Sequence, residues 1–272
     1  NDGVRDAMET SAGRNPVVNE YTASIGRWFS CATDDTGVVC WGNDRWGQVT
    51  NVPVLSNVIA VDAGYEHACA IDDSGVHCWG RDQYGETVVP SGISNPVAIA
   101  VGKDHSCTID DSGVTCWGRN RLKQLNVPAE VRNPAQISST IDHTCAVSDN
   151  GVHCWGSTRQ GRSAVPALEN PTHVTAGFVH SCALDDTGVV CWGSSASDRL
   201  NIPALSNATK IKAGGAHTCA VDDSGVVCWG ANTAGQSNVP ATLKNPREVA
   251  VGTDHTCATD DSGLVCWGSN RN

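Results

Sequence analysis

Fourteen cysteines in 272 residues are the first candidates for chemistry, as nucleophiles, metal ligands or disulfide halves. They fall into seven pairs with a constant offset of nine. Cys31 goes with Cys40, Cys69 with Cys78, Cys107 with Cys116, Cys145 with Cys154, Cys182 with Cys191, Cys219 with Cys228 and Cys257 with Cys266. Each second cysteine runs straight into Trp-Gly. A structural zinc site wants short C-x2-C pairs, or histidines added at tetrahedral spacing, and the pairs do not fit that pattern. Instead, each pair flanks a polar turn such as Asp72-Asp-Ser-Gly75. If that turn closes a hairpin, residues 70 and 77 pair, residues 71 and 76 pair, and Cys69 faces Cys78. Facing residues share one side of a sheet, with Cα atoms near enough for a disulfide. Seven intra-hairpin disulfides are the favoured reading over metal. Paired cysteines at this density belong to an oxidising compartment, so the chain is expected to be secreted, periplasmic or at the cell surface.

Two further sets of residues could do chemistry. Six histidines recur two positions before a first cysteine, at His67, His105, His143, His180, His217 and His255, with Phe29 in that place in the first unit. Such a ring invites a metal or proton-relay reading. A residue repeated once per unit more often serves the fold, and these imidazoles are expected to bond backbone groups of neighbouring turns. The second set is acidic. The formal charge is −11, and its source is one set of turns: Asp34, Asp35, Asp72, Asp73, Asp110, Asp111, Asp149, Asp185, Asp186, Asp222, Asp223, Asp260 and Asp261. Aspartate suits turns because its carboxylate accepts local backbone N–H groups, and the alternating oxygens of a calcium loop are not there. No Gly-x-Ser-x-Gly, phosphate loop or His-Glu-x-x-His occurs. The chain is therefore read as a non-enzyme without cofactor or metal. No basic stripe points to nucleic acid, and no apolar run is long enough to span a membrane.

The elements that must position these residues repeat every 37 or 38 positions, the mark of a repeat architecture. One unit reads as a β-branched run (Val58 to Gly64), a second run (His67 to Ile71), a polar turn, Val76 to Trp79, a variable loop, and Thr87-Val-Val-Pro90. Short β-type runs separated by Gly, Pro, Asn and Asp predict four antiparallel strands, A to D, and no helices. A four-stranded sheet with two apolar faces must stack on copies of itself. Seven set radially make an all-β, seven-bladed β-propeller with one hairpin disulfide per blade. Cys78 and Trp79 are neighbours and so point towards different adjacent blades.

The pattern G-x-x-H-[ST]-C-A-x-D-D-[ST]-G-V-x-C-W-G, followed by N-x-x-G-Q and Val-Pro, resembles the regulator of chromosome condensation repeat. Asn232-Thr-Ala-Gly-Gln236 and Val239-Pro240 carry the likeness best. The short turn and the Val-Pro ending are similar to the secreted bacterial branch that includes a β-lactamase-inhibitory propeller protein. The resemblance covers residues 21–272 and implies a seven-bladed propeller. Residues 1–20 lack the repeat. Because the last unit stops at Trp267-Gly-Ser-Asn-Arg-Asn272 without a D segment, residues 1–20 are expected to close the seventh blade. Thr140 stands where other units have Gly, which predicts a differently shaped A–B turn in unit four.

In a repeat protein the constant positions make the fold and the variable ones carry function. Outside Trp-Gly, the aromatics are Tyr21, Trp28, Phe29, Trp46, Tyr65, Tyr84 and Phe178. Trp28, Tyr65 and Phe178 lie in A–B loops, and Trp46 and Tyr84 in C–D loops. In a meander those loops share one end of the blade, opposite the acidic turns. Basic residues join them at Arg27, Arg45, Arg81, Lys103, Arg119, Arg121, Lys123, Arg159, Arg162 and Arg199. Trp, Tyr and Arg together are the composition of a protein-binding hot spot. The candidate partner-binding residues are Arg27, Trp28, Arg45, Trp46, Tyr65, Tyr84 and Phe178. The leading reading is a secreted or surface protein-binding propeller, with enzyme inhibition as the activity the resemblance implies. The second is a carbohydrate-binding or adhesive module, because exposed Trp and Tyr also stack on glycans. Nucleotide exchange on a small GTPase fits poorly with disulfides and an acidic chain.

Overall fold

A computed structural model describes residues 23–34 and 37–270. They form seven antiparallel sheets, each of three strands in chain order. Blade one holds Ala23–Ile25, Phe29–Asp34 and Gly37–Gly42, blade two Ala60–Ala63, His67–Asp72 and Gly75–Gly80, and blade seven Glu248–Val251, His255–Asp260 and Gly263–Gly268. The sequence predicts four strands, and the fourth segment is the departure. The Val-Pro stretch makes no ladder. Pro has no N–H to give, and the Val88 N–H is used locally on the Gly85 carbonyl. Val89 and Ile93 still pack on the core between blades two and three. The segment therefore covers its blade by side-chain contact alone.

The hairpin register is the expected one. Cys69 faces Cys78, Ala70 faces His77, Ile71 faces Val76 and Asp72 faces Gly75. All seven disulfides form within hairpins and leave no free cysteine. They join Cys31 to Cys40, Cys69 to Cys78, Cys107 to Cys116, Cys145 to Cys154, Cys182 to Cys191, Cys219 to Cys228 and Cys257 to Cys266, with Cα atoms 4.0–4.1 Å apart. The acidic turns are structural at both positions. Asp72 accepts from the Ser74 amide at 2.8 Å and, from the preceding connection, the Ser56 amide at 3.1 Å. Burial opposes its ionisation, but these bonds outweigh that and hold its pKa at about 2. The second aspartate takes the Asn amide of the incoming connection, as Asn95 to Asp111 at 2.7 Å and Asn207 to Asp223 at 2.6 Å.

Blades are joined in two directions by the repeated Trp and His. Six of the seven repeated indoles reach back to a loop carbonyl of the preceding blade: Trp79 to Gln48, Trp117 to Glu86, Trp155 to Gln124, Trp192 to Arg162, Trp229 to Arg199 and Trp267 to Gln236, at 2.8–3.1 Å. Each imidazole reaches forward, but to a hydroxyl of the next blade and not to the backbone groups expected. The pairs are His67–Ser106, His105–Thr144, His143–Ser181, His180–Thr218 and His217–Thr256 at 2.8–2.9 Å, and His255–Ser30 at 3.5 Å. Ser106, Ser181 and Thr256 give their own protons to the same carbonyls the indoles use. They must therefore accept from Nε2–H, which leaves Nδ1 bare. Nδ1 of His67, His105, His143, His180 and His217 is buried without a partner.

The last of these pairs closes the ring, since Ser30 is in blade one and His255 in blade seven. Ile25, Ala250 and Cys257 pack together at the same seam. On its outer side Val39, Trp41 and Leu264 are exposed, Trp41 to 38%, against 5% for Trp79. The segment 1–20 expected to complete the seventh blade lies outside the described residues.

One interface lacks the His bond. Phe29 replaces His in blade one, and its partner position in blade two is Ala68, where the other units carry Ser or Thr. Phe29 and Ala68 are buried in one apolar cluster. The two substitutions match: without an imidazole, a hydroxyl here would lose its donor. Phe29→His alone should cost about 1–3 kcal/mol by leaving a buried donor unpaired. Adding Ala68→Thr should recover about 1 kcal/mol or more, read as a coupling energy in urea denaturation. Simple additivity of the two changes would refute the pairing.

Burial pushes the imidazole pKa of His67 and His180 down to about 3, and that of His105 and His217 to about 4. Between those values and the unfolded value near 6.5, the unfolded chain binds more protons than the folded one. Stability is then complete above about pH 6.5 and falls as acid is added, by up to about 1.4 kcal/mol per pH unit per histidine. Denaturation midpoints at pH 7, 6, 5 and 4 should drop steeply over this series. A flat profile would mean the imidazoles accept protons in place.

Candidate binding face

The strands turn over at a glycine, and the next residue meets the neighbouring blade. The N–H groups of Arg27, Tyr65, Lys103, Phe178 and Gly215 donate to the carbonyls of Gly64, Gly102, Thr140, Gly214 and Gly252, at 2.9–3.2 Å. The approach is so close that a Cβ on Gly64 would stand 2.2 Å from the Gly102 oxygen. Thr140 keeps the turn bond of its equivalents, from its N–H to the His143 carbonyl at 3.1 Å. The different turn expected in unit four is therefore not formed, although Ile141 makes no such backbone link onward among the described residues.

This ring surrounds a central channel of about 330 Å³, walled by the first strand of every blade. Ser24 donates to Asp62 at 2.6 Å, and the Val101 N–H reaches the other Asp62 oxygen at 2.7 Å. Burial raises the Asp62 pKa against those bonds and the nearby Lys212. At the mouth, Tyr65 of blade two and Phe178 of blade five meet with ring centroids 6.3 Å apart. The Arg27 guanidinium lies 4.2 Å from the Tyr65 ring and 4.5 Å from Trp28, with Lys103 at 5.3 Å from Tyr65. Together these side chains narrow the channel mouth.

A second group lies further out on blades one to three. Arg45 stacks on Trp46 at 5.3 Å, Arg81 stands between Trp46 and Tyr84 at 6.0 and 5.6 Å, and Arg119 covers Tyr84 at 4.5 Å. The structure thus brings the seven candidate residues into two groups on one end. Trp28, Trp46 and Tyr84 stay 39–42% exposed, while Tyr65 and Phe178 are half-buried. The acidic hairpin turns lie at the opposite end of the strands.

Sequence reasoning missed the carboxylates that pin the arginines. Asp104 accepts from Arg81 and from Arg119, each at 2.8 Å. Burial alone would raise its pKa, but the two guanidinium groups hold it below the ordinary carboxylate value. Glu66 lies 3.3 Å from Arg81, and Arg162 pairs with Asp142 at 2.6 Å. A signal was present: Glu66, Asp104 and Asp142 all immediately precede the repeated His. Beside these pairs is a 250 Å³ pocket whose lining includes Lys103, Arg119, Arg121 and Arg159. Cations fixed by carboxylates hold the rings in place before any partner arrives, a geometry in which each cation–ring contact is worth about 0.5–1 kcal/mol at exposed sites.

Comparison with known proteins fits this architecture. The sequence model of the Regulator of chromosome condensation (RCC1) repeat matches residues 58–86 and 208–236. The fold is that of an RCC1-type propeller. The ectodomain of the Physcomitrella patens receptor kinase CR4 superposes with a TM-score of 0.78 at 23% identity, over 93% of this chain and 74% of that one. The CRINKLY ectodomain of the Arabidopsis thaliana receptor kinase ACR4 gives 0.73 at 22% identity, over 92% and 98%. Prp20p of Saccharomyces cerevisiae, described with binding properties to Gsp1p and histones, gives 0.73 at 17% identity, over 92% and 83%. No curated protein sequence matches the chain significantly.

Removing Asp104 leaves two guanidinium groups without their shared acceptor. Asp104→Ala should lower stability by about 2 kcal/mol and loosen the packing of Tyr84. Chemical denaturation, with tyrosine fluorescence anisotropy as a local readout, checks both effects.

Proposed function

We propose that this RCC1-type propeller is a protein-interaction module acting outside the reducing cytoplasm, with the A–B and C–D loop end as its docking face. The observation that carries the reading is the alternation of exposed rings and cations across blades one to three, with Arg81 and Arg119 anchored on the shared carboxylate of Asp104. Binding a partner there costs little side-chain entropy, because the anchors are already fixed. Aromatic and arginine anchors at the centre of such a patch supply most of the affinity in protein complexes. Seven disulfides support an extracellular setting, as does the likeness to two receptor ectodomains. Among the described residues no cluster of three His, Cys, Asp or Glu could hold a metal, and no helix is long and apolar enough to cross a membrane. Inhibition of a secreted enzyme is the finer reading, following the resemblance to the inhibitory bacterial branch.

The test is calorimetric titration of loop variants against a partner captured from the native extracellular fraction. Trp28→Ala and Trp46→Ala should each weaken binding by about 2 kcal/mol with little change in folding. Tyr65→Ala should weaken it similarly while also opening the channel mouth. Asp73→Asn and Asp111→Asn, at the opposite end, should leave affinity unchanged. Binding that follows the turn aspartates and ignores the rings would place the partner on the other face. Retention on a glycan array, lost in the tryptophan variants, would favour the carbohydrate reading instead.

A further inference from the structure

Blades four and five carry an arginine at the same place, seven residues after the repeated Trp, where other described blades have Gln or Glu. Both arginines are buried, Arg162 to 5% and Arg199 to 6% exposure. Their surroundings differ both in the neighbouring acid and in the backbone carbonyls each guanidinium reaches. The Arg162 guanidinium donates to Asp142 at 2.6 Å and to the Phe178 carbonyl at 2.7 Å, and its Nε–H bonds the Arg159 carbonyl at 2.9 Å. The position equivalent to Asp142 in blade five is Val179, and that of the next blade is Ala216. Arg199 has no carboxylate partner among the described residues, and its Nε is buried without any acceptor. The acid nearest in sequence, Asp198, is turned onto the Asn201 amide at 2.9 Å. His180 beside it stays neutral, and burial alone acts on the guanidinium, with no anion opposing it.

A buried guanidinium N–H left without an acceptor is costly, and the Nε and Nη donors of one edge together match a carboxylate. In the following blade the places of Phe178 and Val179 are held by the small residues Gly215 and Ala216, and Arg199 lies in a C–D loop, at the same end as the aromatic groups. We infer that Arg199 is a carboxylate-receiving subsite of the loop face. It is filled by an aspartate or glutamate side chain of the docked protein, which supplies from outside the carboxylate that Asp142 gives Arg162 from within its own blade. This assignment rests on the protein-binding reading of that face, and it makes acidic residues a requirement on the partner.

Sodium acetate is the probe, titrated into 15N-labelled full chain against matched sodium chloride, with the arginine Nε–Hε resonances observed. The wild type should show a saturable shift confined to the Arg199 resonance, of millimolar affinity. Val179→Ala should retain the shift. Val179→Asp supplies the acid internally, as blade four does, so its Arg199 resonance should start displaced and not respond. Arg199→Gln removes the resonance and should leave the other arginines unmoved. No acetate response at Arg199, or an equal response in Val179→Asp, would overturn the subsite. Trp28→Ala and Trp46→Ala should leave the acetate response intact, so failure of the wider docking face and failure of this subsite are read separately. With the captured partner, Val179→Asp and Arg199→Gln should each lose at least about tenfold in affinity if its carboxylate fills the site. Unchanged affinity there would overturn the assignment to a protein side chain.

Discussion

Among the described residues, one loop carbonyl ties each of six neighbouring pairs of blades together. The loop residue seven positions after the repeated Trp presents its oxygen to the next blade, where an indole N–H and, in several interfaces, a hydroxyl both donate to it. The hydroxyl is in turn fixed by an imidazole from the blade that owns the carbonyl. The interfaces between blades two and three, four and five, and six and seven are thus closed polar circuits inside an apolar stack. Satisfied buried networks of this kind define a single arrangement, because any displacement leaves several polar atoms unpaired at once. The disulfides keep each hairpin in register, so the Trp and the hydroxyl facing it present themselves together.

Much of this is legible in the sequence. The nine-residue cysteine spacing and the Asp-Ser turn set the hairpin register residue by residue, because facing positions in a symmetric loop are fixed by counting. The period sets the blade number. The imidazole partners are not legible in that way, although Ser or Thr stands between His and Cys in five of the six units with His. A hydroxyl beside a cysteine has no periodic signature of its own, and only the ring brings it to the next blade's histidine. The fourth strand misleads for a related reason. Val-Pro has the composition of a strand, but a ladder needs N–H groups that this stretch spends on local turns.

The binding face divides the same way. Exposed aromatics in variable loops are found by subtracting the repeat, and strand topology sends them to one end. Their pairing with Arg27, Arg81 and Arg119 depends on distances between different blades and cannot be counted out. The carboxylate of Asp104, which fixes two of those arginines, shares with Glu66 and Asp142 the place just before the repeated His, but which arginines it meets is set only by the packing of blades. Around Arg81, Arg119 and Arg162 the electrostatics of the face are consequently milder than the basic residues suggest, whereas Arg199, beside Val179, has no carboxylate partner among the described residues.

Seven nearly identical blades pose an assembly problem that Phe29 and Ala68 solve. Any blade's leading face could in principle dock on any other's trailing face, giving skipped, swapped or intermolecular rings, the characteristic errors of repeat chains. A histidine facing Ala68 would be stranded, and Phe29 facing a threonine would strand the hydroxyl. The apolar pair fits only itself. It acts as a notch and key cut at a single point of the circle, indexing where blade one ends and blade two begins, and so rewarding the one cyclic order in which every other interface also falls into place.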